Sequence, residues 1–124
     1  MIKFLNLIIG GAVGTVARYL LAGVVYRFMG TGFPYGTLIV NISGCFILGI
    51  LASLADKKFL FGADMKVLLM IGFCGAFTTF STLIFETDSL VRNGQAVRAF
   101  TNIFASVILG FILFRLGSLL GEII

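Results

Sequence analysis

Four hydroxyl-bearing residues stand close together inside a long apolar stretch of the sequence. They are Thr78, Thr79, Ser81 and Thr82, within the run GAFTTFSTL at positions 75–83. Ser and Thr side chains can bond back to a carbonyl one turn earlier, which accounts for one or two such residues better than for four. We therefore predict a functional break in a helix at this point. Carbonyl groups freed by such a break can hold a hard cation such as Na⁺.

An amide and an aromatic ring add to the chemistry that this run offers. Asn41 lies deep in the preceding apolar stretch, where it either bonds a neighbouring helix or lines a pathway, and the sequence leaves both open. Phe80 stands among the hydroxyls, and an aromatic ring has a positive edge. Amide and hydroxyl donors replace part of the hydration that an anion loses. The pattern favours a narrow, partly dehydrated pathway for a small anion.

Further polar residues lie inside other apolar stretches. Asn102 and Ser106 are one helical turn apart and form a second polar face. Arg18 lies about midway along the first apolar stretch, so it must face the protein interior or reach towards water. Glu86 and Asp88 lie near the far end of the third stretch, where hydration is easier.

These residues require elements that cross a membrane. The chain has 124 residues, of which 60% are hydrophobic and 11% charged, and its mean hydropathy is +1.16. Four apolar stretches, at about 4–28, 36–55, 66–91 and 97–121, each reach the roughly 20 residues that a helix needs to span a bilayer. The sequence predicts an all-α membrane protein with a single domain of four transmembrane helices, the third broken near its middle.

Composition excludes several classes of function. The net charge of +4 comes from single, scattered basic residues rather than a cluster, which argues against a nucleic-acid partner. The sequence contains no His, and Cys45 and Cys74 lie within apolar runs as packing residues do. We expect neither a transition-metal centre nor an enzyme, since no nucleophile–base pair is evident.

The basic residues are nearly balanced between the two ends of the predicted helices. Four spans put both termini on one side of the membrane. The side of the termini carries four lysines, which are Lys3, Lys57, Lys58 and Lys66, and Arg115 lies some way into the fourth span. The other side carries three arginines, which are Arg27, Arg92 and Arg98. Such a weak bias gives the insertion machinery little to choose between. The count predicts a protein that inserts in both orientations.

Sixteen glycines are too many for ordinary lipid-facing helices. Gly10 and Gly14 form one GxxxG pair, and Gly117 and Gly121 form another. Small residues let helix backbones approach closely in lipid, either within one bundle or against a second copy. We favour an oligomer, because a four-helix bundle has little room for a pore of its own.

Three stretches of the sequence resemble the fluoride channel family called Fluc or CrcB. The first span has a glycine-rich opening followed by an arginine, the second resembles the family pattern GTLxVNxxG, and the third resembles GxxGxxTTFST. The matching residues are 10–14 with Arg18 and Tyr19, 36–41 with Gly44, and 72–82. The likeness covers the whole chain.

The resemblance implies an architecture and an activity. Family members are antiparallel, dual-topology homodimers in the bacterial plasma (inner) membrane. Each dimer has two narrow pores that pass fluoride passively and protect the cell against its accumulation. A structural Na⁺ sits at the dimer centre, held by backbone carbonyls that match Gly75 and Thr78 from both chains.

The resemblance also implies roles for individual residues. The pore would be lined by an amide, a ring and two hydroxyls, which match Asn41, Phe80, Ser81 and Thr82. Arg18 would lie towards the vestibule, and Glu86 near the pore end. This chain departs from the family at Leu83, where the pattern usually has a second pore phenylalanine. Leucine keeps the apolar bulk but presents no ring edge, so we expect Leu83→Phe to raise fluoride efflux.

Two other classes of protein share some of these sequence features. A small dual-topology multidrug or cation exporter has the same size and topology, but proton-coupled versions need a membrane-embedded carboxylate in the first helix. The first span of this chain has no acid. A non-transporting assembly subunit explains the glycines and helices, but not a hydroxyl-rich break beside Asn41.

Overall fold

Four long helical spans form the chain. A computed structural model describes residues 1–57 and 59–124, so Lys58, which was counted among the basic residues above, lies outside the described residues. The spans are α1 (Ile2–Met29), α2 (Tyr35–Lys57), α3 (Ala63–Arg92) and α4 (Ala96–Ile123). Each is long and apolar enough to cross a membrane. The predicted all-α protein with four such helices is confirmed.

Turn residues separate the helices where the sequence supplies them. Gly30 follows α1 with a φ of 79°, a left-handed conformation that glycine adopts without strain. Pro34 immediately precedes α2, and its carbonyl accepts a hydrogen bond from Leu38 N at 3.1 Å. Gly94, with a φ of 73°, makes the turn between α3 and α4. The short connections hold consecutive spans side by side.

Glycines determine which helices pack closely. A Cβ at Gly49 of α2 would lie 2.2 Å from the backbone oxygen of Phe114, and one at Gly117 of α4 would lie 2.2 Å from that of Phe46. The seam between α2 and α4 is therefore backbone against backbone. Both predicted GxxxG pairs pack inside the chain, because Gly10 and Gly14 contact α3 and Gly117 and Gly121 contact α2. These four glycines are thus used within one subunit.

Gly10→Ala is expected to destabilise the protein by about 1–3 kcal/mol, because its Cβ must displace backbone rather than a flexible side chain. That atom would lie 2.3 Å from the backbone oxygen of Leu68. Gly11→Ala is the matched control, since a Cβ there meets nothing within 4 Å. Thermal unfolding of the purified variants in detergent measures the difference. Equal stability of the two variants would contradict the packing described.

The α3 span is irregular. It starts with an α-helical turn at Ala63–Lys66, continues as a π-helix over Val67–Cys74, and has one more α-helical turn at Gly75–Phe77. Thr78 (φ −83°, ψ 156°) and Thr79 (φ −148°, ψ 112°) then have extended backbone. Regular α-helix resumes over Phe80–Arg92. We call 63–77 the first half of α3 and Phe80–Arg92 the second half.

Candidate functional site

The extended stretch of α3 is held by Asn41 of α2. The Nδ2 atom of Asn41 donates to the carbonyl oxygen of Thr79 at 3.0 Å, and Thr79 N donates to Asn41 Oδ1 at 2.7 Å. One amide side chain thus replaces both helical backbone partners of a residue that has left the helix. The structure brings together Asn41 and the hydroxyl-rich run, which are 38 residues apart in sequence.

Threonine hydroxyls satisfy the helix ends on either side of Thr79. Thr78 N and Thr78 Oγ1 both donate to Cys74 O, at 3.1 and 3.0 Å, and so complete the first half of α3. Thr79 caps the second half, because its Oγ1 accepts from Thr82 N at 3.3 Å. The same Oγ1 lies 2.9 Å from Thr82 Oγ1. The hydroxyls of Thr78 and Thr79 therefore form hydrogen bonds with the local backbone, and those of Thr79 and Thr82 form one with each other.

A groove leads from this stretch along α1. Its volume is about 660 Å³, and its wall is mostly apolar, although polar residues also line it, among them Arg18, Thr37, Thr79, Thr82 and Glu86. Arg18, Thr82 and Glu86 are half-buried and line this groove together. Their predicted places along a fluoride pathway stay predictions.

Glu86 is held by two hydroxyls that the sequence analysis missed. Thr37 Oγ1 donates to Glu86 Oε1 at 2.8 Å, and Tyr26 OH donates to the same oxygen at 3.3 Å. Thr37 lies one helical turn before Asn41, so the i, i+4 spacing on α2 was the sequence signal for a shared polar face. No comparable signal in the sequence pointed to Tyr26.

Other predicted site residues lie away from the groove. Phe80 is 73% exposed, whereas Leu83 is 5% exposed and belongs to the protein core. Ser81 and Gly75 are exposed in the single chain, and Thr78 is half-buried. Within one chain, the structure therefore does not bring Phe80 and Leu83 to the same surface.

The second polar face, on α4, packs against the second half of α3. Asn102 is fully buried and its Nδ2 donates to Thr87 Oγ1 at 3.0 Å, and Thr87 Oγ1 donates in turn to Leu83 O at 2.7 Å. Among the described residues, Asn102 Oδ1 and Ser106 Oγ are buried without a hydrogen-bond partner. Thr87 is a further residue that the sequence analysis missed.

Known proteins resemble this chain over nearly its full length. The family model described as "CrcB-like protein, Camphor Resistance (CrcB)" matches residues 5–118. A protein of Desulforapulum autotrophicum named "Fluoride-specific ion channel FluC" is 42% identical over 122 residues, which is 98% of each chain. A protein of the same name from Dehalococcoides mccartyi is 43% identical over 98% of this chain and 94% of its own. Another from Geobacter sulfurreducens is 46% identical over 88% of each chain.

Proposed function

Because this chain belongs to the CrcB-like protein family, we propose that it is a fluoride-selective channel that exports fluoride passively and so confers fluoride resistance. It is a multi-pass protein of the bacterial plasma membrane, and a transporter rather than an enzyme, as predicted. The observation that carries the proposal is the pair of hydrogen bonds between Asn41 and Thr79, beside a mostly apolar groove that several polar side chains also line.

The chemistry of the groove suits a small, strongly hydrated anion. Extended backbone survives at membrane depth only when it is buried in protein or lines a wet cavity, and the groove lies beside Thr79. Thr79 Oγ1 donates to Thr82 Oγ1, so the hydroxyl hydrogen of Thr82 is available to an anion that has shed water, and Arg18 adds a positive charge towards the vestibule. Asn41 keeps the extended segment in place.

A second copy of the chain completes the proposed pore. Exposed polar groups at membrane depth are costly in lipid, and Ser81 and Gly75 are exposed beside the extended residues of α3. Phe80 presents its ring on the same helix, at 73% exposure. An antiparallel homodimer covers these groups and lets Phe80 of one subunit face the pore of the other. The near-even charge balance supports insertion in both orientations.

The dimer centre would also hold a structural Na⁺. Na⁺ prefers oxygen ligands, and the end of the first half of α3 offers the carbonyl oxygens of Gly75 and Thr78. Gly75 is exposed in the single chain, and the extended ψ of 156° turns the Thr78 carbonyl away from the helical direction. Two copies related by symmetry would double this donor set, so the residues present fit the ion.

Fluoride efflux from proteoliposomes tests the function, with chloride efflux as the control. Fluoride should leave and chloride should not. Proton-coupled drug flux would instead favour the small multidrug exporter, although α1 carries no acid for such coupling. Equal chloride and fluoride flux would contradict a fluoride-selective pore.

The resemblance to the fluoride channel family implies a pore ring at this position, so Leu83→Phe is expected to raise fluoride efflux several-fold, even though Leu83 packs in the core of the single chain and away from the groove. Leu83→Met is the matched control, since it keeps the volume without a ring and should leave efflux near the original rate. Leu83 is buried, so dimer retention on size exclusion must accompany each rate. Equal or slower efflux from an intact Leu83→Phe dimer would contradict the role of the ring.

A further inference from the structure

We propose that Glu86 is a proton-binding site that controls how many hydroxyl groups can donate hydrogen bonds to fluoride in the proposed pathway. The inference rests on the proposed fluoride channel and adds to it a dependence of conduction on the acidity of the vestibule. The two carboxylate oxygens of Glu86 have unequal environments. Glu86 Oε1 accepts from Thr37 Oγ1 and Tyr26 OH, whereas Glu86 Oε2 is buried without a partner among the described residues.

Glu86 lies between two cavities. It lines the groove that reaches Thr79, and together with Tyr26 it also lines a second cavity of about 480 Å³. The second cavity is formed at the loop end of the bundle, by the connection before α2 and by residues such as Asn93 and Gln95. An anion that moves between the loop end and the extended stretch of α3 therefore passes this carboxyl group.

The ionised carboxylate opposes an anion in two ways. Its negative charge repels fluoride, and this repulsion is strong where little water screens it. It also occupies the hydroxyl hydrogens of Thr37 and Tyr26, which both point at Oε1. In this state, neither hydroxyl can donate that hydrogen to fluoride.

Protonation reverses both effects. A proton taken from vestibule water forms an O–H bond on Glu86, which removes the charge and makes the carboxyl group a donor. The hydroxyls of Thr37 and Tyr26 are then free to rotate and donate towards the groove. When the proton returns to water, the carboxylate again accepts both hydroxyl hydrogens. The cycle is a simple acid–base exchange and needs no other reactant.

Glu86 is the carboxyl group that lines both cavities. Arg18, Arg27 and Tyr19 of α1 line the same groove. The neighbour from α2 is Thr37, which does not titrate. On α3, Asp88 is exposed and accepts from Arg92 at 2.7 Å.

On α4, Arg98 lies near the second cavity. Its guanidinium donates to Gly32 O at 3.0 Å, and Gly32 belongs to that lining. The arginines therefore give the pathway a constant positive charge. Glu86 adds a negative charge only while its carboxyl group is ionised.

The test measures fluoride efflux from proteoliposomes between about pH 7 and about pH 4, a range that includes the ordinary pKa of a glutamate, after subtraction of the leak from protein-free liposomes. The unmodified protein should speed up at least about threefold across this range, since full removal of the charge is worth more than that. Glu86→Gln should be fast and independent of pH. Asp88→Asn is the matched control and should keep the original pH dependence.

Two further measurements separate a proton switch from a structural role. Thr37→Val should blunt the acceleration at low pH, because it removes one of the released donors. Infrared difference spectra on acidification should show a protonated-carboxyl band that Glu86→Gln lacks. Fluoride efflux with the same pH dependence in the original protein and in Glu86→Gln, or the absence of this band, would overturn the proton switch alone. No fluoride efflux at any pH would overturn the channel function and the switch with it.

Discussion

Asn41→Ala should reduce fluoride efflux by at least about thirtyfold. The substitution leaves Thr79 N and Thr79 O without their partner, and each unpaired buried backbone group costs about 1–3 kcal/mol. The extended segment would then have to rewind or admit water, and either change disturbs the donors beside the groove. Efflux rates from proteoliposomes, together with the fraction of dimer on size exclusion, measure the effect.

Ser43→Ala provides the matched control for Asn41→Ala. Ser43 is a polar residue at nearly the same depth of α2, but its Oγ donates at 3.0 Å to Val40 O of its own helix. Loss of this local bond should leave fluoride efflux nearly unchanged. If Asn41→Ala and Ser43→Ala conducted alike, the pair of hydrogen bonds to Thr79 would have no part in conduction.

Exhaustive replacement of sodium by a large organic cation should separate the dimer or stop fluoride efflux. Without Na⁺, the carbonyl dipoles proposed to meet at the dimer centre, those of Gly75 and Thr78, would repel one another at membrane depth. Analytical size exclusion in detergent and efflux from sodium-free proteoliposomes measure the two outcomes. Re-addition of sodium at constant ionic strength should restore both.

The control for sodium is potassium, a larger cation that needs longer distances to its oxygen ligands. Potassium should restore less dimer and less efflux than sodium does at the same concentration. A protein that remained dimeric and fully active after complete removal of sodium would contradict the proposed site.

The helical spans followed from the sequence because lipid imposes a length and a composition that few other structures share. The run of four hydroxyls predicted an interruption of the helix at this point, although the structure engages three of these hydroxyls in local bonds. The extended backbone lies at two of those hydroxyl residues, Thr78 and Thr79. Asn41 stood out as an amide in an apolar helix, and the sequence correctly left a bond to a neighbouring helix as one of its two roles.

The partners of the other polar residues were beyond sequence reasoning. Glu86 meets Thr37 and Tyr26 across 49 and 60 residues of chain, and these pairings depend on how α1, α2 and α3 are rotated against each other. Helix rotation follows from side-chain packing and from close glycine contacts, which a single sequence does not reveal. The π-helix at Val67–Cys74 was missed because its residues are uniformly apolar.

The central claim is that this chain selects fluoride in a passive pore, and recordings across a planar bilayer test it most directly. With fluoride on one side and chloride on the other, the current should reverse near the potential set by fluoride alone. A proton gradient imposed without a fluoride gradient should drive no steady anion transport. A reversal potential that follows chloride as closely as fluoride, or transport driven by the proton gradient, would contradict the account.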